Sequence, residues 1–525
     1  MRKWKISWQK PGIIFGIVFG FFYALGKSVQ QESVGRLFFD IEVFRNFIFT
    51  FCLSGVVAGI FAVFFYQILE NASSTDRESV KKQKGSFSKT YFCTILCYLL
   101  CFIAYYPGIM SYDSWYITLQ ALGKIGFDNH HPFLHTLIWS MFARLDDFFG
   151  IKEIGIVFYT LVQFMIMTAI YAWVYLWICG RNKGKAGKVL SFLYLAFNPV
   201  FHIFTLILTK DVYFSGCFLL LTVRLIDLCE SILERDRATR KQGSIIIISL
   251  LCCLFRNNMI YVIILLTVVI FYMTEKRIAS CKGLLISIFL YGLIVQVIYP
   301  SIGVSEGSIR EMMSVPLSQI SAVYQNEKEE LNAEEKELIL KYIPDVEQYD
   351  RFFADNVKSN FNTHAFHENK EEFIFLWYKL FRKYPGEYAQ AFLTLNLPYW
   401  YPEMNSVREY IETDNYSQDY PVIRKNLLPS VYHWYEEISE NRAKWMTLPV
   451  FRQLYSIGMP IWILLFFLIR FIVLKKRAFV CGIMPAIFLW LTYLMGPVSS
   501  FRYIEPLLLT YPVWVALSLE RKSLE

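Results

Sequence analysis

The sequence predicts an all-α polytopic membrane protein of about 12 transmembrane helices with a mainly helical insert on one face. Three observations carry that expectation. The 525-residue chain is 55% hydrophobic and 18% aromatic with only 18% charged residues, too little charge for a soluble chain of this length. Apolar runs of roughly 15 to 25 residues recur along it, the length a bilayer crossing needs. Lysine and arginine collect in alternate loops.

The runs fall near 12–26, 46–69, 91–106, 154–179, 187–207, 212–229, 244–255, 259–274, 283–299, 456–474, 479–496 and 505–519, with 244–255 short for a full crossing. MRKWKISWQKPGIIFGIVFGFFYALG resembles a signal peptide, but no small-residue cleavage site follows, so it reads as a retained first helix. RKWK, KKQK with Lys89, RNKGKAGK, ERDRATRK, EKR, KKR and the terminal RK share one side of this topology. That side carries roughly 25 Lys and Arg against about 9 in the opposing short loops, which makes it cytoplasmic. An even number of spans puts both termini there. The organisation expected is 1–90, two helices and a cytoplasmic loop; 91–299, a transmembrane core with an outer loop at 107–153; 300–450, an extracytoplasmic domain; and 451–525, the C-terminal helices.

The net charge of +8 follows from this loop bias and suits contact with anionic membrane lipids, not nucleic acid. The eleven cysteines lie in or beside predicted spans, where they act as small hydrophobes, with no CxxC pair or zinc-finger spacing. No GxxxxGK[ST] loop is present, so ATP-driven transport lacks its usual engine.

The polar residues gather on the outer side. YPGIMSYDSW places Asp113 between Ser111 and Ser114, just past Pro107 and Gly108, which turn the chain. A carboxylate there can act as a general base on an acceptor hydroxyl, or can cap the following helix WYITLQALG. DNHHPFLH adds Asp128, His130, His131 and His135, with Pro132 opening a helix that lies along the membrane surface through 149. His131 and His135 stand four apart; with a carboxylate they can form a divalent metal site, or they can bind ligand phosphate or hydroxyls, or serve structure. No HExxH accompanies them. Lys210 and Asp211 of TKD, Arg256 and Asn257 of FRNN, and Arg502 of FRYIEP emerge at three other outer turns. Together with Asp113 they suggest an anionic-ligand site, because ionisable groups cost about 2.5–3.5 kcal/mol each near the centre of a membrane helix. Singly, each has a plainer role, as a snorkelling side chain or a local ion pair.

In the insert, NEKEELNAEEKELILKYI and HENKEEFIFLWYKLFRKY read as amphipathic helices. NLPYWYPEMN must be a loop, whose Tyr399 and Trp400 either stack on sugar rings or sit in an interfacial aromatic belt.

A hydrophobic helix, an outer loop with an acidic residue and surface-lying helices, then further spans, resembles the GT-C superfamily of membrane glycosyltransferases. More closely, YPGIMSYDSWYITLQAL with DNHHPFLHT, TKDVYFS, FRNN, VPLSQISAVY and FRYIEP resembles a family of largely uncharacterised multi-pass proteins of Gram-positive bacteria, from about Tyr105 to near the C-terminus. The resemblance implies a GT-C-like core whose catalytic outer loop is 107–153. It also implies an enzyme that moves a sugar, with inversion, from a polyprenyl-phosphate-linked donor to an extracytoplasmic acceptor such as an envelope glycopolymer or glycolipid. Asp113 takes the place of the base, and Lys210, Arg256 and Arg502 are the candidates to hold the donor phosphate. Ser114, Asp128, His130, His131, His135, Asp211, Asn257, Tyr399 and Trp400 are the expected substrate contacts, with no cofactor required. Many members of the superfamily carry paired acids in the first loop; here Asp113 is followed by a serine, and the next acid is Asp128. The other function classes in play are a transporter or flippase of lipid-linked glycans, and a non-catalytic envelope-polymer-binding membrane protein. Transporters put polar residues at mid-membrane on broken helices, often in repeated halves, whereas the charges here gather at one face.

Overall fold

A computed structural model describes residues 7–34, 39–74, 86–181, 184–233, 242–274, 277–404, 410–415 and 418–520. The basic runs at 2–5, 81–84, 234–241 and 521–522, parts of RNKGKAGK and EKR, and the last residue of NLPYWYPEMN lie outside the described residues. Among those described, the structure is helical, with isolated β-bridges and no strand. An apolar chain in lipid has no water to satisfy its backbone, so helices with internal hydrogen bonds are the available solution.

The first thirteen helices in chain order are α1 (Gln9–Gln30), α2 (Ile41–Ser74), α3 (Phe87–Ala104), α4 (Ser114–Ala121), α5 (Phe133–Ala143), α6 (Leu145–Phe149), α7 (Ile154–Arg181), α8 (Lys185–Phe197), α9 (Pro199–Phe204), α10 (Lys210–Leu233), α11 (Gln242–Phe255), α12 (Met259–Met273) and α13 (Arg277–Leu293). Later helices of the bundle are Met459–Val473, Arg477–Tyr493, Phe501–Leu509 and Tyr511–Ser518. Each of the twelve apolar segments of the sequence falls largely on helix, and among the described residues six helices are long and apolar enough to cross a membrane: α1, α2, α3, α7, α10, and α13 continued to Ser301. Two segments are broken. The 187–207 run divides at Asn198, whose side chain accepts from the Val200 amide while Pro199 starts α9. The last run divides at Thr510, with Pro512 opening the second piece.

α10 is the axis. It packs on α7, α11, Arg477–Tyr493 and Phe501–Leu509, and 78% of its most apolar window is buried, against 11% for α2. α2 therefore keeps most of its apolar surface outward and holds to the rest mainly through α1, with Tyr66 also stacked on Phe466 of Met459–Val473. Gly12, Gly16 and Gly20 of α1 meet Gly55 and Gly59 of α2 so closely that a Cβ on Gly16 would lie 2.3 Å from the Gly55 carbonyl oxygen. Small residues let membrane helices approach backbone to backbone, where dispersion contacts act without help from water.

The two amphipathic helices expected in the insert are present as Ala333–Tyr342 and Lys370–Lys383. The first begins with a reciprocal cap between Asn332 and Glu335. They enclose an apolar core of their own, with Leu317, Ile320, Ile339, Tyr342, Phe373, Leu376 and Tyr388. This core is narrower than the 300–450 domain expected from composition. From Leu397 onward the side chains join the main core, because LPYWY is too apolar to stay in solvent. Tyr399 and Trp400 are 1% and 6% exposed; the Trp490 and Trp462 indoles donate to their carbonyl oxygens at 3.0 and 2.8 Å. Neither ring offers a face to a sugar, which corrects the expectation that they bind substrate.

Two glycine substitutions, one at the α1–α2 contact and one in α7, should have opposite outcomes. Gly16→Leu should lower the melting temperature of the detergent-solubilised protein, with a loss of about 1–3 kcal/mol from overpacking. Gly180→Ala, where an added Cβ meets nothing within 4 Å, should be neutral or slightly stabilising.

Candidate functional site

The candidate site is built at the start of α4. Gly108 makes the sharp turn at φ +151, where a Cβ would strike the Thr160 hydroxyl oxygen at 2.4 Å. The chain then pairs with the segment before α10: the Ile109 amide donates to the Leu206 carbonyl at 3.3 Å, and the Leu208 amide to the Ile109 carbonyl at 2.8 Å. That short pairing lays the Asp113 loop beside TKD, although the two are 97 residues apart. Asn415 and Glu412 pin the other side. The Met110 amide donates to Asn415 Oδ1 at 2.8 Å, the Ser111 hydroxyl to the Glu412 carbonyl at 2.7 Å, and the Glu412 amide to the Tyr112 hydroxyl at 2.9 Å. Tyr112 adopts φ +54, an uncommon conformation for a bulky residue, held here by those partners.

Asp113 sits at the N-cap position of α4, yet its side chain makes no cap hydrogen bond. Its Oδ2 instead takes Lys210 Nζ and Arg502 Nη1, both at 3.1 Å, with His131 Nδ1 at 3.6 Å. Burial works against its charge, but Arg502 and Lys210 outweigh it and hold the carboxyl well below the usual carboxylate range. Lys210 Nζ also reaches His131 Nδ1 at 2.7 Å. An ammonium can only donate, so this nitrogen of His131 accepts and the proton resides on Nε2. Burial and the Lys210 charge push His131 well below its ordinary value, consistent with that neutral form.

A second pair lies behind the first. Asp211, 1% exposed, bonds Arg256 Nη1 at 3.2 Å and lies 4.0 Å from Arg502 Nη1. The Arg256 guanidinium lies over the rings of Tyr503, Tyr493 and Phe214 at 4.8, 5.0 and 5.3 Å. Arg502 lies over Tyr112 and Tyr503 at 4.7 and 4.9 Å. Such faces stabilise a cation where water is scarce. Three cations against two carboxylates leave this paired network with one cation in excess.

The other expected contacts divide. Asp128 accepts from the Tyr116 hydroxyl and, at 2.9 Å, from the His130 amide, so it shapes the loop. Asn257 donates to the Asn129 carbonyl at 3.1 Å and fastens that loop to the turn before α12. His130 approaches Glu311 of the insert at 3.7 Å, and burial lowers its ordinary value. Ser114 is buried, with no hydrogen-bond partner for its hydroxyl. His135, 1% exposed, bonds the Tyr159 hydroxyl at 2.8 Å, and burial pushes it down to about 3. His131 and His135 thus serve different partners, and among the described residues no group of three His, Cys, Asp or Glu is placed to hold a metal ion. Lys210 and Arg502 bring positive charge to Asp113. Asp211 and Arg256 pair with each other rather than with Asp113, and Asp211 also accepts from the Thr209 hydroxyl at 3.3 Å.

Sequence reasoning missed the aromatic support of Tyr112, Tyr493 and Tyr503, and the loop anchors Glu412 and Asn415. Glu505, which FRYIEP sets beside Arg502 in the sequence, is wholly buried, with one oxygen taken by the Ser215 hydroxyl and the other without a partner.

Fold and site define a helical multi-pass membrane protein with a buried ion cluster at one end of its bundle. The chain belongs to the family of unknown function (DUF6020), whose model matches residues 124–524. That match takes in Lys210, Arg256 and Arg502 and begins after Asp113. No curated protein and no solved structure matches the chain.

Two outcomes follow from the geometry. Asp211→Ala strands the buried Arg256 and should cost about 3–5 kcal/mol of stability in thermal melts, the usual penalty for breaking a buried pair. His131 and His135 are held neutral when folded, so below about pH 6.5 only the unfolded chain gains their protons. The melting temperature should therefore fall as pH drops from about 6.5 toward 4. His135→Gln should flatten part of that slope.

Proposed function

We propose that this protein is a GT-C-type membrane glycosyltransferase that uses a polyprenyl-phosphate-linked sugar. In this reading all twelve apolar segments cross or enter the bilayer, both termini are cytoplasmic, and the Asp113 cluster opens on the extracytoplasmic side of the cell membrane. The observation that carries it is one carboxylate sharing two cations from distant helices, Lys210 and Arg502, at one end of a lipid-facing bundle. A lipid-phosphate donor has its hydrocarbon in the bilayer and its anionic head at that level, where cations and a base must meet.

The reaction follows from those groups. The acceptor hydroxyl attacks C1 of the sugar from the face opposite the phosphate, giving inversion. The O–C1 bond forms as the C1–O bond to phosphate breaks, and that electron pair stays on the phosphate oxygen. The acceptor proton passes to Asp113. Lys210 and Arg502 face the charge that grows on the leaving phosphate, so they favour the transition state over the ground state. His131, neutral with its proton on Nε2, is a donor beside them for a sugar or phosphate oxygen. The 309–396 helices shape the acceptor side, and cell-envelope glycopolymers, teichoic acids among them, or glycolipids are acceptors of the right location. The charges are gathered at one end and not at mid-membrane, which favours transfer over transport.

Purified protein in nanodiscs, given a panel of decaprenyl-phosphate hexoses with envelope glycolipid as acceptor, should release decaprenyl phosphate. Asp113→Asn should lower that release by about 10²–10⁴, the usual worth of a positioned base. Near-normal turnover in Asp113→Asn sinks the assignment, and activity in excess chelator is expected.

A further inference from the structure

We propose that Asp113 stands in for the phosphate in the resting protein, so that a phosphate entering the site takes Lys210 and Arg502 from it and thereby frees Asp113 to act as the base. This rests on the transferase reading and states how that site is switched on. Both cations bond the same oxygen, Oδ2, each at 3.1 Å. Two cationic donors converging on one anionic oxygen is the arrangement a phosphate oxygen takes. Asp113 makes no cap hydrogen bond, so no helix contact is lost when it lets go.

Arg502 has capacity that the carboxylate leaves unused. Its Nη1 serves Asp113 and its Nη2 donates to the Tyr503 hydroxyl at 3.0 Å, while its Nε is buried without a partner. A phosphate group, with more terminal oxygens than a carboxylate, can satisfy that donor as well. Asp211 at 4.0 Å keeps a negative charge behind Arg502 throughout, so the exchange never strands the guanidinium.

The consequence for catalysis is an order of binding. While Asp113 holds the cations it is a poor base, because its charged form is the favoured one. Once they move to the donor phosphate, its basicity rises beside the acceptor hydroxyl. After transfer, Asp113 carries the acceptor proton and the cations hold the leaving phosphate. As the phosphate departs they return to Asp113, which gives its proton to water.

The test uses the full-length protein in phosphatidylcholine nanodiscs and measures the affinity of decaprenyl phosphate, with inorganic phosphate as a second probe. Asp113→Asn, a base-deficient variant, should bind decaprenyl phosphate about 5- to 100-fold more tightly than the natural chain, a coupling typical of groups that share partners. In a Lys210→Ala background that gain should shrink to less than about twofold, as a double-mutant cycle reads it. Parallel tightening of inorganic phosphate assigns the effect to the head group alone; tightening of decaprenyl phosphate only assigns it to phosphate presented by a lipid. Both support the exchange. Asp113→Glu, which keeps the charge, should keep the weaker binding and guards against a folding artefact. Unchanged or weaker binding in Asp113→Asn overturns the proposal, and so does an equal gain with and without Lys210. Loss of sugar transfer in Asp113→Asn with unchanged phosphate affinity removes the exchange and leaves the transferase reading standing. Tighter binding with no transfer from any sugar donor does the reverse.

Discussion

Asp113, Asp211, Lys210, Arg256 and Arg502 meet where a bundle built for lipid comes to its end, and each finds an opposite charge within 4.0 Å. Removing a charge from water costs several kcal/mol unless another charge and hydrogen bonds answer it. That cost dictates the surroundings. Tyr112, Tyr493 and Tyr503 lay rings against the guanidinium groups, Gly108 permits the turn that delivers Asp113, and the Ile109–Leu208 pairing sets loop against helix. The main core packs tightly around α10, and that packing holds its first residues, Lys210 and Asp211, in place.

The two halves of the cluster differ in kind. Arg256 and Asp211 are buried and satisfy one another, so they act as a support. Asp113 is the more open partner, with a side chain 28% exposed, and Arg502 retains a donor that it does not use. A supporting pair and an exchangeable pair joined through Arg502 allow the outer groups to change partners over a fixed base. The insert touches this region through Glu311 and His130, and through the Ala354 amide, which donates to the Pro497 carbonyl at 2.8 Å.

Much of the site was legible in the residues. Lys210, Arg502 and Asp113 stood out as charges at the edges of apolar runs, where a charge is expensive and so must have a use. His131 stood out beside them. The roles of Asp211, Arg256, Tyr399 and Trp400 were not legible, because burial separates a ligand contact from a structural one and sequence carries little of it. An Arg at a turn looks the same whether its partner is a phosphate or an aspartate 45 residues away. The metal alternative for His131 and His135 had the right spacing, but helical spacing puts side chains on one face without fixing what each meets.

By itself the sequence determined that the chain is helical, where its apolar segments run, and that the charges of TKD, FRNN and FRYIEP belong with the Asp113 loop. These follow from local physics: the length of apolar runs, the cost of charge in lipid and the periodicity of amphipathic helices. The tertiary structure alone decided which cations share one oxygen of Asp113, which pair turns inward, and where the insert's core ends. Those outcomes depend on contacts between residues up to 389 positions apart, and the geometry of such contacts is settled only when the whole bundle packs.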